Sequence, residues 1–127
     1  MLKLLAMVIL APRGGSAPTQ LVVTMSSGSN FTIELDQHNA PKTCAQLIKL
    51  ANDKFYDKQR VHRVEGWVTQ WGDPASKKKS MDDPLMGSGG SGTDLPFEPG
   101  KLSFVRGVAG IASTGFKVGG DSQIFIL

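Results

Sequence analysis

Only one stretch of this chain repeats its apolar residues at helical spacing, and short β-rich runs flank it on both sides. That combination restricts the fold more than any bulk property does. Cys44, Leu47, Ile48, Ala51 and Phe55 recur at helical intervals, laying an apolar stripe along one helix face. Asn39 can cap that helix, and Pro41 fits its first turn, where a missing N–H is no loss. Before it, LVVTM (Leu21–Met25) and NFTIEL (Asn30–Leu35) are joined by Ser26-Ser27-Gly28-Ser29, which is a hairpin signal. Phe31, Ile33 and Leu35 alternate with Thr32 and Glu34, so one face of that strand is buried and the other wet. After the helix, Val61 to Trp71 reads as two strands around a turn at Glu65-Gly66. Leu102–Val105, Gly107–Ala112 and Ser122–Leu127 read as further short strands. Ala75–Gly100 has no periodicity, and a loop of that length is functional or mobile. The expected architecture is mainly β with antiparallel strands around one helix, as a barrel or sandwich.

Composition bounds what such a domain can do. The 127 residues suit one domain, and 15 Gly with 7 Pro supply its many turns. The net charge is only +3, and Lys77-Lys78-Lys79 reads as a solvated face, so no nucleic-acid partner is expected. The single cysteine, Cys44, excludes an internal disulfide and a Cys-rich zinc site. Its place on the apolar stripe makes it a small buried hydrophobe, not a nucleophile. His38 and His62 have no matching acid cluster, so neither metal nor cofactor is expected. No apolar run approaches the ~20 residues that span a bilayer. At the start, Met1-Leu2-Lys3 is basic, Leu4 to Ala11 is apolar, and Gly15-Ser16-Ala17 is small. Residues 1–18 are therefore expected to be a leader, a candidate signal segment, ahead of a domain at 19–127. The expected location is exported or periplasmic rather than cytoplasmic; the alternative for the apolar run is a first strand or an unstructured leader.

Two motifs are set aside. Gly87-Ser88-Gly89-Gly90-Ser91-Gly92 has the GxGxxG form, but Asp82-Asp83-Pro84 precedes it and Leu95-Pro96 follows, so it lacks the strand and helix of a dinucleotide site. It reads as a flexible, tightly turning loop. Ser, His and Asp are all present, yet no Ser sits in GxSxG form, and His62 beside Arg63 would be an awkward general base.

What remains unexplained is VHRVEGWVTQWGDP, Val61 to Pro74. Arg63 and Gln70 stand among residues that should be packing, and burying such groups is costly without partners. Val68 and Gln70 share one strand face, with Trp67, Thr69 and Trp71 on the other; Trp67, at the bend, can reach either side. Gln123 and Phe125 share a face of a later strand. Two amides, an Arg and large apolar groups then line one surface, as in a groove that grips a peptide backbone and buries one apolar side chain.

These segments, VHRVEGWVTQWGDP, GSGGSG, VAGIASTG and DSQIFI, with the preceding NAPKTCAQLIKLANDKFYD, together resemble the cyclophilin family of peptidyl-prolyl cis-trans isomerases. The resemblance covers Leu21 to Leu127. It implies a closed antiparallel β-barrel capped by a helix, here with the C-terminal strands missing, because family members continue past the DSQIFI strand. It also implies that Arg63 is catalytic and that Gln70 orients the arginine and the substrate. Trp67 and Val68 would then belong to the proline pocket, Ala112 and Ser113 to the backbone-binding edge, and Gln123 and Phe125 to the pocket, with Phe125 its floor. Trp71 stands where the family has the first of two glycines, and the turn from Arg63 to Trp67 is one residue shorter than usual. The implied substrates are proline-containing peptides and unfolded proteins, met by a monomer. Isomerisation and catalytically weak binding of proline peptides are the two functions in view.

Overall fold

The computed structural model describes residues 4–10, as a backbone strand, and 18–127. The hairpin signal is realised as β2 (Gln20–Met25) and β3 (Asn30–Glu34), with Gln20 opposite Glu34 and Thr24 opposite Asn30. Its turn closes when the N–H of Met25 donates to Ser29 O at 2.8 Å. Leu21 and Val23 share the inner face of β2 and are fully buried. On the far side of β2 runs β1 (Leu4–Leu10), antiparallel, with Leu10 opposite Gln20. The apolar run considered as part of a leader is thus a paired strand here, and Gly15-Ser16-Ala17 lies outside the described residues.

Helix α1 (Pro41–Asn52) is shorter than its apolar stripe, and Phe55 falls in the turns beyond it. Asn39 does not cap it. The N-cap is Ala40, while Asn39 is engaged by Asp36, whose carboxylate accepts from its side-chain and backbone N–H at 2.8 and 3.1 Å. The orphan donors of the first turn are met from far away. Glu98 accepts the N–H groups of Lys42 and Thr43 at 2.9 and 2.6 Å, and the Thr43 hydroxyl at 2.8 Å.

The second sheet holds β4 (Arg63–Glu65), β5 (Val68–Trp71), β6 (Ala109–Ser113) and β7 (Gly120–Ile126) in the antiparallel order β4-β5-β7-β6. Between the sheets lies the core. Trp71 is 1% exposed and meets Phe31 edge-to-face at 6.0 Å. Around it pack Leu47 and Leu50 from α1 and Ile124 from β7. Each such side chain contributes on the order of 1.5–3 kcal/mol by leaving water. Tyr56 ties the turn after α1 to β7 by donating its hydroxyl to Ser122 O at 2.8 Å. Cys44 is buried in this core, and desolvation, helped by the charges of Asp36 and Glu98, pushes its thiol up to about 11. It is protonated and inert at neutral pH, as its place on the apolar stripe implies.

Two sequence expectations need correction. Leu102–Val105 is not a strand: all four residues are exposed and no ladder forms along them, because β-propensity without a partner edge makes no sheet. Nor do the sheets close into a barrel. The strand order is β1-β2-β3 in one sheet and β4-β5-β7-β6 in the other, so a barrel would need hydrogen bonds between the two sheets, and none forms among the described residues. The fold is mainly β with one helix. Among the described residues no helix is long and apolar enough to cross a membrane.

Candidate active site

Register brings the site together. Arg63 on β4 lies opposite Gln70 on β5, and Gln70 lies opposite Phe125 on β7. Directly opposed residues project from the same side of a sheet, so these three form a row. Gln123 falls on the same side, two residues along β7. Phe125 is in turn opposite Gly110 on β6, where a Cβ would lie 2.6 Å from the ring. Only glycine lets that ring lie flat across the strand.

The polar members bond in sequence. Arg63 donates from Nη1 to Gln70 Oε1 at 3.3 Å, and Gln70 donates from Nε2 to Gln123 Oε1 at 2.7 Å. Arg63 also donates from Nε to Glu65 Oε1 at 2.7 Å and stacks 5.1 Å from the Trp67 ring centroid. This accounts for a half-buried guanidinium among packing residues: it has a carboxylate, an amide and a ring to replace water. The hydrogen bond from Arg63 holds the Glu65 carboxyl below its usual range.

A cleft of about 1100 Å³ opens between β3, the start of α1 and the second sheet. Seven of the eight residues expected from sequence line it: Arg63, Trp67, Val68, Gln70, Ala112, Ser113 and Phe125. Val68 is buried on the Gln70 face, while Trp67 is 60% exposed at the turn. Ser113 is spent on its own loop, donating to Gly115 O at 3.1 Å. Gln123 does not line the cleft and reaches it only through Gln70. One residue went unforeseen: the exposed Phe104 ring stands 6.1 Å from that of Phe125 and also lines the cleft. Its signal, an aromatic in a segment read as a strand, was present but misassigned.

Residues 20–127 match the family described as cyclophilin type peptidyl-prolyl cis-trans isomerase/CLD. The chain belongs to the cyclophilin family. A probable peptidyl-prolyl cis-trans isomerase of Brucella suis biovar 1 is 35% identical over 114 residues, covering 87% of this chain and 58% of that protein. A peptidyl-prolyl cis-trans isomerase of Synechococcus elongatus is 32% identical over 109 residues, covering 85% of this chain and 68% of that protein. The Aspergillus fumigatus protein named peptidyl-prolyl cis-trans isomerase-like 1 is 33% identical, over 85% of this chain and 64% of its own. The chain thus spans 58% of the length of the Brucella relatives it matches. No solved structure matches it.

In this cyclophilin domain the glycine-rich loop is not loose. Asp73, two residues past β5, accepts the N–H groups of Ala75, Gly87 and Gly89 at 2.8, 2.7 and 3.3 Å. Asp121, in β7, accepts those of Gly92 and Thr93 at 2.9 and 3.3 Å, together with the Ser91 hydroxyl. Gly89 must be glycine, since a Cβ would lie 2.4 Å from Asp73 Oδ1. His62 lies beside this loop, half-buried, and desolvation, aided by the charge of Arg63, lowers its pKa against the pull of Asp73 and Gln123. Neither aspartate stands out in the sequence. The available signal was that each sits at or beside a strand whose neighbours are apolar.

Proposed function

We propose that this domain catalyses cis-trans rotation about Xaa-Pro bonds in peptides and unfolded proteins. The observation that carries the reading is the row Arg63, Gln70 and Phe125, an oriented cation beside an apolar floor. An Xaa-Pro bond resists rotation by ~18–20 kcal/mol because of amide resonance. Its isomers differ by only ~0.5–1 kcal/mol, so a catalyst has only to lower that barrier. No covalent bond forms or breaks, and the site offers no activated nucleophile. In this reading the proline ring rests on Phe125 and Val68, with Trp67 at the rim. Arg63 donates toward the prolyl nitrogen as it becomes pyramidal and loses resonance. That hydrogen bond is stronger in the twisted state than in either planar isomer, which is differential binding of the transition state. Gln70 holds the guanidinium in line, and the strand edge at Ala112 and Ser113 receives the peptide backbone. An exported location and a monomeric state belong to the same proposal.

The openness of the site favours a second reading, a proline-peptide-binding module of low catalytic power, because Trp67 is 60% exposed. One experiment separates the two. Exchange rates of a Xaa-Pro peptide are measured by NMR with the parent chain and with Arg63→Ala. We expect acceleration by the parent and a loss on the order of a hundredfold in the variant. Peptide binding without acceleration by the parent would support the binding module. Activity in Arg63→Ala within twofold of the parent would remove Arg63 from the mechanism.

A further inference from the structure

The amide polarity of the row beneath Arg63 is decided outside the cleft. Gln123 donates from Nε2 to two carbonyls, Gly87 O at 2.6 Å and Gly89 O at 2.8 Å. Carbonyls only accept, so the nitrogen of Gln123 must face the loop and its oxygen must face Gln70. Gln70 therefore presents its nitrogen to Gln123 and its oxygen to Arg63, which can only donate. Were Gln123 flipped, its oxygen would face two carbonyls, and Gln70 would be driven to offer an N–H to a cation. The Gly87 carbonyl is held through its own peptide unit, whose Ser88 N–H donates to Leu85 O at 3.0 Å. Both carbonyls are further restrained by the peptide units just before them, which carry the N–H groups of Gly87 and Gly89. Both donate to Asp73, a carboxylate 0% exposed.

We infer that Asp73 is a positioning residue: by gripping Gly87 and Gly89 it fixes the orientation of Gln123 and Gln70, and so aims the Arg63 guanidinium. A flexible loop could not do this, because the relay needs two carbonyls parked within hydrogen-bonding range of one amide. The six-residue glycine and serine motif thereby has a task unrelated to phosphate binding. Its small residues let the backbone approach a buried carboxylate on one side and a glutamine amide on the other.

The catalytic part of this inference rests on the isomerase reading; the structural part does not. The test uses two variants of the chain, both first checked for folding by thermal melt. Asp73→Asn turns one acceptor oxygen into a donor facing the N–H groups of Gly87 and Gly89. Gly89→Ala leaves Asp73 intact but pushes the loop away from it. The first readout is the side-chain NH₂ resonance of Gln123, assigned by its disappearance in Gln123→Ala. It should be shifted and slow to exchange in the parent, and take solvent-like values in both variants. The second is kcat on a Xaa-Pro peptide, which should fall on the order of tenfold in Gly89→Ala. The double variant Gly89→Ala/Gln123→Ala should fall no further than Gln123→Ala alone, because both changes cut one relay. Unchanged Gln123 resonances in a folded variant overturn the inference, and so do losses that multiply in the double variant. A parent without activity defeats the isomerase reading, while the Gln123 resonance still decides the positioning role.

Discussion

Two loop segments of this molecule behave opposite to their composition. Gly87–Gly92 is built from glycine and serine, yet its backbone is held by two aspartates and a glutamine. Leu102–Val105 has the apolar, β-prone residues of a strand, yet its side chains are exposed and it joins no sheet. Order in the first comes from buried acceptors that supply what a ladder would otherwise supply. The second forms no ladder although β4 and β6 stand at the edges of their sheet, so β-prone side chains alone do not recruit a partner strand. Local propensity states a preference, and a hydrogen-bond partner decides whether it is used.

The sharpest way to break this comparison is to remove the aspartate. Asp73→Ala should lower unfolding free energy by about 3 kcal/mol, since three part-buried N–H groups lose their acceptor. Urea unfolding of parent and variant measures it, and a loss under about 1 kcal/mol would mean that water or rearrangement serves the loop equally well.

A smaller effect should come from acid. Burial keeps His62 neutral in the folded state below its ordinary titration range, whereas the unfolded chain takes up the proton near pH ~6.5. The stability linked to neutral His62 is therefore complete above that pH. It declines as the pH falls below it, until the folded histidine also titrates. Stability should therefore fall between pH 7 and 5 through this group. His62→Gln should flatten that part of the profile, and an unchanged profile would exclude His62 as its source.

Least of all should come from the other segment. Leu102→Ser should change stability by no more than about 0.5 kcal/mol, because the side chain is already in water. A loss above about 1.5 kcal/mol in the same urea experiment would show that Leu102 is covered in solution and that the contrast between the segments is overstated.

The legible parts of the fold were those governed by local periodicity. The stripe through Cys44, Leu47 and Ala51 located α1, and the alternation in NFTIEL located β3. Strand parity, together with the family resemblance, brought Arg63, Gln70, Gln123 and Phe125 to one side of a sheet. The relay behind them could not be read, because Asp73 acts on residues 14 and 16 positions away and Asp121 on residues 28 and 29 positions away. No periodicity encodes such spacings. The same holds for the helix cap: Asn39 had the right chemistry and adjacency, but Asp36 took it first.

That cap has a consequence for the order in which the molecule assembles. Helix α1 carries no side-chain cap of its own, and its first-turn donors wait for Glu98, 55 and 56 residues downstream. An isolated helix of 12 residues is marginal in water even with good capping. Joining Glu98 to it closes a long loop whose entropy must be met before the contact gives anything back. The start of α1 should therefore be among the last parts of the chain to become native: Glu98→Ala is expected to speed unfolding while leaving the folding rate near that of the parent, which denaturant-dependent folding kinetics would check.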